Sequence, residues 1–356
     1  MPKGWEIRSF LDCVSIPSKI VGLKRTEYKS TGKFPIFDQA KDYISGYTDS
    51  KEVVQEKIPA ILFGDHTRVL KIIESPFALG ADGTKIFYAN KDIDPNFLYQ
   101  QLLRLDVPNT GYNRHFKWLK DSELVIPPVR EQQNIAEILS AIDTEIERSD
   151  RVIKRYDDLK IGILADFLKS KKEKTKFKRE KLEDLCNFTT GKLNSNKAVD
   201  GGEYPFFTCS KETYAIDQYS FDCEAILLAG NNAAGIYSVK HYKGKFDAYQ
   251  RTYVITVKNE EELDYVFLKE ILNAKLNLLK NMSLGSTTKF LTIKLLYNIE
   301  VNIPSITEQK RIAKILLLID QNIRGYKVLK REFMKLKKGL TADLLSGKVR
   351  TITEKI

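Results

Sequence analysis

The sequence predicts an α+β chain in which two mixed α/β domains are joined by two long antiparallel amphipathic helices, as a pseudo-two-fold internal repeat. Three observations predict it. The phrase "IPPVREQQNIAEILSAID" at Ile126 returns as "IPSITEQKRIAKILLLID" at Ile303, an offset of 177 in a chain of 356 residues. Each phrase opens a run of helical hydrophobic period, and each comes after a stretch of short β-like runs broken by Gly, Asn and Asp. The chain is thus one plan used twice.

The chain divides in order into four segments: a variable domain over 1–125, a helical repeat over 126–171, a second variable domain over 172–302 and a second helical repeat over 303–356. Without a gap, the match continues through Leu159/Leu336, Lys160/Lys337, Gly162/Gly339, Ala165/Ala342, Asp166/Asp343 and Leu168/Leu345. Weaker echoes precede it, "KFPIF" against "EYPFF" and "NFLYQQLL" against "VFLKEIL", and need small shifts of offset. The variable domains open on "WEIRSFLDCV" and "FKREKLEDLC" and continue through "AILFG", "KIFYA", "AILLAG" and "TYVITVK", runs typical of short strands. One helix stands in each, "DPNFLYQQLLR" and "LDYVFLKEILNAKLNLL", with Asp94 and Asp264 as N-caps and Pro95 at the first helical position.

Pro127 and Pro304 end the segments before them, and Glu131 and Glu308 place an acid in the first turn of the helix that each proline introduces. In the first run Ile135, Leu139, Ile142, Ile146, Ile153, Tyr156, Ile163 and Phe167 recur at helical spacing. In the second Ile312, Leu316, Ile319, Ile323, Tyr326, Phe333, Leu340 and Leu344 do so. About 38 residues at 1.5 Å each predict helices of roughly 55 Å. Glu131 to Ser170 holds nine acidic and six basic side chains, and Glu308 to Gly347 four and ten. Opposite charge favours these two as each other's antiparallel partners. The seam is first of all intramolecular core. Ile138, Leu139, Ile142, Ile315, Leu316 and Ile319 are also candidate docking residues for another protein's helices.

With 42% hydrophobic and 10% aromatic residues the chain can build real cores. No apolar window is long enough to span a bilayer, and "MPKGWEIRSF" lacks the apolar stretch of a signal peptide, so a cytoplasmic protein is expected. Cys13, Cys186, Cys209 and Cys223 have neither C-x-x-C spacing nor enough histidines to bind metal with, so buried or half-buried thiols and no metal site are expected. Catalytic signals fail in turn. "DPNF" lacks the second proline of the [DN]-P-P-[YF] tetrapeptide of amino-methyltransferases and reads as a helix cap. "GADGTK" and "LAGNNAAGIY" are not phosphate loops, and His66 beside Asp65 has no nucleophile elbow. No catalytic residue is assigned.

A net charge of +11 and a pI near 9.2 favour a polyanionic partner. Polar, basic loops supply side chains that suit base edges and phosphates: Lys24, Arg25, Lys29, His66, Arg68, Asn113 and Arg114 in the first half, and Lys192, Asn194, Asn231, Asn232, Lys243, Arg251 and Lys289 in the second. Loops of this kind are also ordinary surface. The run "KSKKEKTKFKREK" reads as a solvated junction or a phosphate contact.

The repeated I-P-x-x-x-E-Q-x-x-I-A-x-I-L core, each copy placed after a variable domain, resembles the specificity subunit of type I restriction-modification systems. The resemblance covers the whole chain in organisation, and the variable domains match only in outline. It implies two target-recognition domains reading the halves of a split double-stranded DNA sequence, and helices that hold two modification (methyltransferase) subunits, with restriction (motor-nuclease) subunits joining to cleave. S-adenosylmethionine, ATP and magnesium would belong to those partners, and this chain would bind no cofactor and catalyse nothing. The same architecture serves systems whose partner both methylates and cleaves. Two other classes are an orphan DNA methyltransferase, against which the missing cofactor motifs speak, and a coiled-coil scaffold unrelated to DNA, against which the charge and the two large domains speak.

Overall fold

The computed structural model describes residues 2–18, 20–111, 113–168, 177–233, 235–285 and 288–352. The chain divides into two compact units, 1–150 with 328–356, and 151–327. The helical repeats form helices Val129–Leu168 and Ile306–Leu345, 40 residues each and so slightly longer than expected. Each unit takes part of both.

In the second unit a six-stranded sheet runs in the order Cys186–Thr190, Thr252–Val257, Phe221–Ala229, Val239–Ala248, Tyr204–Phe207, Tyr214–Ile216. The first unit repeats this order as two four-stranded sheets. One contains Val14–Ser15, Thr84–Ala89, Ala60–Gly64 and Leu70–Ile73, and the other Gly22–Leu23, Ala78–Gly80, Phe34–Phe37 and Gly46–Thr48. The division falls where the counterpart of Val239–Ala248 breaks between Ile73 and Ala78. Pro76 lies in that gap, and a proline has no N–H to give a central ladder. The parallel pairing beyond the break is kept, Phe37 opposite Leu79 and Phe207 opposite Ala248. Ala60–Gly64 and residues 225–229 are buried at every position, which is why both read as unbroken apolar runs.

A two-stranded ribbon closes each domain's entry on its exit. Glu6–Ser9 pairs with Glu123–Ile126, and Lys178–Lys181 with Glu300–Ile303. The exit strand then hands the chain to a long helix through Pro127 or Pro304.

Inside each unit the two long helices run antiparallel. In the first, Asp143 meets Lys337 at 2.6 Å and Asp150 meets Lys330 at 2.6 Å, one number rising as the other falls. In the second, Tyr156 lies 6.3 Å from Tyr326 between ring centroids and Lys160 meets Asp320 at 2.8 Å. Asp143 and Asp320 are equivalent in the repeat, as are Lys337 and Lys160, so one ion pair is made twice. The apolar stripe is wider in use than a helix–helix seam. Ile135 and Leu139 pack with Phe97, Leu98 and Leu102 of the domain helix Pro95–Arg104 as well as with Leu344. Ile312 and Leu316 do the same with Phe267, Leu268 and Ile271 of Tyr265–Ala274.

The two domain helices are capped as expected. Asp94 Oδ1 accepts from the N–H groups of Asn96 and Phe97, and Asp264 Oδ1 from that of Phe267. The glutamine of each E-Q pair ties that cap to the long helix. Buried Gln132 donates to the Pro127 and Asp92 carbonyls at 2.9 and 3.1 Å and accepts from Asp94 N–H at 2.7 Å. Buried Gln309 donates to the Pro304 and Glu262 carbonyls at 2.9 and 2.7 Å and accepts from Asp264 N–H at 2.9 Å. One side chain thus satisfies three backbone groups that have no ladder partner. Gln309→Ala is expected to destabilise the second unit by about 2–3 kcal/mol, because those groups stay buried without partners. Lys310→Ala, at the exposed neighbouring position, is expected to change stability by less than about 0.5 kcal/mol. Urea unfolding of both variants decides it, and equal costs would refute the clamp.

Candidate nucleic-acid interface

In the first unit a line of backbone contacts joins four loops along one edge of the domain. Ala81 N–H donates to Leu23 O at 2.8 Å, joining the turn at Arg25–Glu27 to the turn after Gly80. Asp65 N–H donates to Gly83 O at 2.7 Å, adding the turn that holds His66 and Arg68. His115 N–H donates to Asp65 O at 2.8 Å, adding the loop that holds Asn113 and Arg114.

The second unit builds the same edge from equivalent parts. Gln250 N–H donates to Leu193 O at 2.9 Å, joining Asn194 and the turn Ser195–Lys197 to the 249–251 turn. Gly230 N–H donates to Arg251 O at 2.8 Å, adding Asn231 and Asn232, which in turn pair with Phe290 and Lys289.

Twelve of the fourteen residues chosen from sequence belong to these two edges. Lys24, Arg25, Asn113, Arg114, Lys192, Asn194 and Arg251 are exposed, while His66, Arg68, Asn231, Asn232 and Lys289 are half-buried. Several are partly engaged by the scaffold. His66 Nδ1 lies 3.2 Å from Asn113 O, Asn113 Nδ2 donates to Thr110 O, and Arg68 donates to Val107 O at 2.9 Å. Arg68 has φ 63°, the left-handed region that a non-glycine residue enters only when its surroundings impose it. The turn closed by Gly64 N–H on Val69 O imposes it here. Lys29 and Lys243 stand outside the edges, paired with Asp49 at 2.9 Å and Glu224 at 2.8 Å. A lysine committed to a carboxylate in a strand or bridge looks the same in sequence as a loop lysine.

Three residues at these edges carried no sequence signal. Buried His115, with Nδ1 2.9 Å from Asp65 O, anchors the chain that carries Asn113 and Arg114. Gln39 Oε1 accepts from His66 N–H at 3.2 Å. Gln250 donates through Nε2 to Asn194 Oδ1 at 2.8 Å, across 56 residues of chain. Neither Gln39 nor Gln250 has a period or a motif around it.

Asp65 is buried and accepts from Phe116 N–H at 2.8 Å, so it holds the loop rather than polarising His66. All four cysteines are free thiols, Cys13 and Cys186 buried, Cys209 and Cys223 half-buried. Burial pushes the Cys13 thiol up to about 11 and the Cys186 thiol up to about 12. Among the described residues no group of His, Cys, Asp and Glu could hold a metal ion, and no helix is long and apolar enough to cross a membrane. Residues 169–176 of the lysine-rich junction lie outside the described residues.

On the helices, Leu139, Ile142, Leu316 and Ile319 are buried in the cores of their own units, Ile315 is packed against the second core, and Ile138 is exposed. Leu159, Ile161, Leu317, Leu318 and Met334 are exposed beside them.

The profile of the type I restriction modification DNA specificity domain matches this chain twice, over residues 2–154 and 174–330. The specificity subunit of the type I restriction enzyme EcoDI from Escherichia coli is 40% identical over 141 residues, 39% of this chain and 30% of that one. The chain thus spans under a third of that relative's length. The specificity subunit of the type I restriction enzyme MjaVIII from Methanocaldococcus jannaschii is 23% identical over 350 residues, 85% of this chain and 81% of that one. A crystal structure of the S subunit of a type I restriction-modification system from M. genitalium superposes with a TM-score of 0.69, covering 96% of both chains at 18% identity, and so shares the fold. With the profile matched once in each half of the repeat, the chain belongs to the type I restriction-modification DNA specificity family.

Proposed function

We propose that this chain is the DNA-reading subunit of a type I restriction-modification complex, its domain over 1–125 reading one half of a bipartite duplex target and its domain over 172–302 the other. The observation that carries the reading is the loop edge built twice from equivalent backbone contacts and lined in each unit with Arg, Lys and Asn. Base edges are read by such side chains and phosphates are neutralised by the cations among them. The chain contributes no catalytic step, and methyl transfer and cleavage belong to partner subunits acting with it in the cytoplasm.

The exposed apolar positions on the long helices are the docking surface for two modification subunits. In the first unit Leu103 and Met334 face a groove of about 490 Å³ rimmed by Arg104, Lys337 and Lys338. Apolar side chains with a charged rim are the anatomy of a helix-docking face.

Exchanging residues 1–125 for the same segment of a relative, in cells that also carry the modification subunits, is expected to change one half of the methylated motif. The other half should stay as it was. Sequencing of methylated bases reads the result, and a change in both halves would overturn the assignment of one reader to each half.

A further inference from the structure

We infer that Asn194 and Gln250 act together as one reading head, recognising an adenine in the half of the target bound by the second domain. The inference rests on the reading of that domain as a DNA reader and names the residues that discriminate.

The backbone beneath the pair is closely packed and hydrogen-bonded. Gly191 lies so close to the 248 carbonyl that an added Cβ would sit 1.7 Å from its oxygen, which seats the 191–197 turn against the 249–251 turn. Thr252 N–H closes that second turn on Tyr249 O at 2.8 Å, and Gly230 N–H and Cys209 Sγ both reach Arg251 O, at 2.8 and 3.3 Å. Residues 194 and 250 are nevertheless exposed. A hydrogen bond between two exposed amides in water adds little stability, since each group has water as an alternative partner. What it does is hold two flexible side chains in one orientation.

The chemistry of what remains unpaired selects the base. The contact uses one Gln250 Nε2–H and one lone pair of Asn194 Oδ1. Gln250 Oε1 is left as an acceptor, with donors on Nε2 and on Asn194 Nδ2 around it. Adenine presents the matching pair in the major groove, the N6 donor beside the N7 acceptor. Guanine presents two acceptors there, so Oε1 would face another acceptor. Thymine offers an acceptor and a methyl group, and cytosine a donor alone. Exchanging the roles of the two amides leaves the same complement on Asn194.

The first domain supplies a comparison. Its Leu23 carbonyl accepts from Ala81 N–H at 2.8 Å just as Leu193 O accepts from Gln250 N–H, and here too a glycine allows the close approach, since a Cβ added at Gly22 would fall 2.5 Å from Ala81 Cα. The residues next after the leucines are Lys24 and Asn194, and the donors are Ala81 and Gln250. The backbone device is kept while its two outward side chains differ, as expected of positions that set which base is read.

The test uses the assembled modification complex, its motif first established by sequencing methylated DNA, in competition binding at fixed salt against duplexes with each motif base pair replaced in turn. Gln250→Ala is expected to lose discrimination at one A·T pair of one half, from about 10- to 100-fold to within about twofold, with every other position unchanged. Asn194→Ala is expected to lose it at the same pair. Gln250→Glu keeps the shape but has only acceptors, and should shift that position toward a base presenting a donor alone, cytosine. Full discrimination in both alanine variants, a uniform loss at all positions, or a loss at a G·C pair would overturn the adenine head while wild-type binding left the DNA-reading assignment standing. A wild-type complex with no sequence preference would overturn both.

Discussion

Leu316→Asp is expected to leave the second unit without a cooperative folded state. Leu316 is fully buried in the core that also holds Ile312, Phe267, Leu268 and Ile271. Truncating a buried leucine to alanine already costs about 2–5 kcal/mol, and a carboxylate in its place adds the penalty of burying an unpaired charge. The sum rivals the whole stability of a domain, about 5–15 kcal/mol. Calorimetry should then show one unfolding transition fewer than in the wild-type chain. Leu318→Asp, two residues along at an exposed position, is expected to unfold as the wild type does and to weaken binding of the modification subunit instead. If Leu316→Asp melts like the wild type, that face of the helix is not core.

The second large effect is expected at Glu131, the first acid of the repeated E-Q pair. Glu131 is buried and accepts from Trp5 Nε1 at 2.9 Å, from Arg350 through Nε at 2.7 Å and Nη2 at 2.9 Å, and from Thr351 N–H at 3.3 Å. Removing one partner of a buried ion pair strands the other, so Glu131→Ala should destabilise the first unit by about 3–5 kcal/mol. Its counterpart Glu308 pairs with Arg311 one turn along at the surface, and Glu308→Ala should change stability little. The contrast between two copies of one motif is itself the test.

Acid should erase the difference. Burial alone would raise the Glu131 carboxyl, but the hydrogen bonds from Arg350, Trp5 and Thr351 outweigh it and hold it below its ordinary 4.5. A pKa depressed by folding contributes stability that is fully present above about pH 4.5 and is lost as the pH falls through the folded value. The gap in urea unfolding between wild type and Glu131→Gln should therefore narrow below about pH 4.5. A gap that widened in acid would show that the carboxylate is not what the pocket stabilises.

Much of this molecule was legible in its sequence, and the legible parts share a cause. A helical stripe repeats every three or four residues, an N-cap acts within three, and a duplicated segment preserves both, so Asp94, Asp264, the two long helices and the internal repeat could be read directly. The repeat also carried the family. The choice of Lys, Arg and Asn in polar loops brought most of the candidate edge with it, since those residue types suit nucleic acid wherever a loop presents them.

What only the tertiary structure decided depends on partners far apart in the chain. Nothing local to Gln132 or Gln309 marks either as the tie to a helix cap, because Asp94 and Asp264 are brought beside them only by the fold. Lys29 and Lys243 looked like the other basic loop residues until sheet pairing set them next to Asp49 and Glu224. Glu131 and Glu308 share a motif, yet one is buried because Trp5 and Arg350 reach it from opposite ends of the sequence, 126 and 219 residues away. Local periodicity and capping determine which elements form, because their interactions lie within a turn or two of chain. Sheet register and loop adjacency determine which side chains meet, and those are settled only when segments tens to hundreds of residues apart bury their apolar faces against one another.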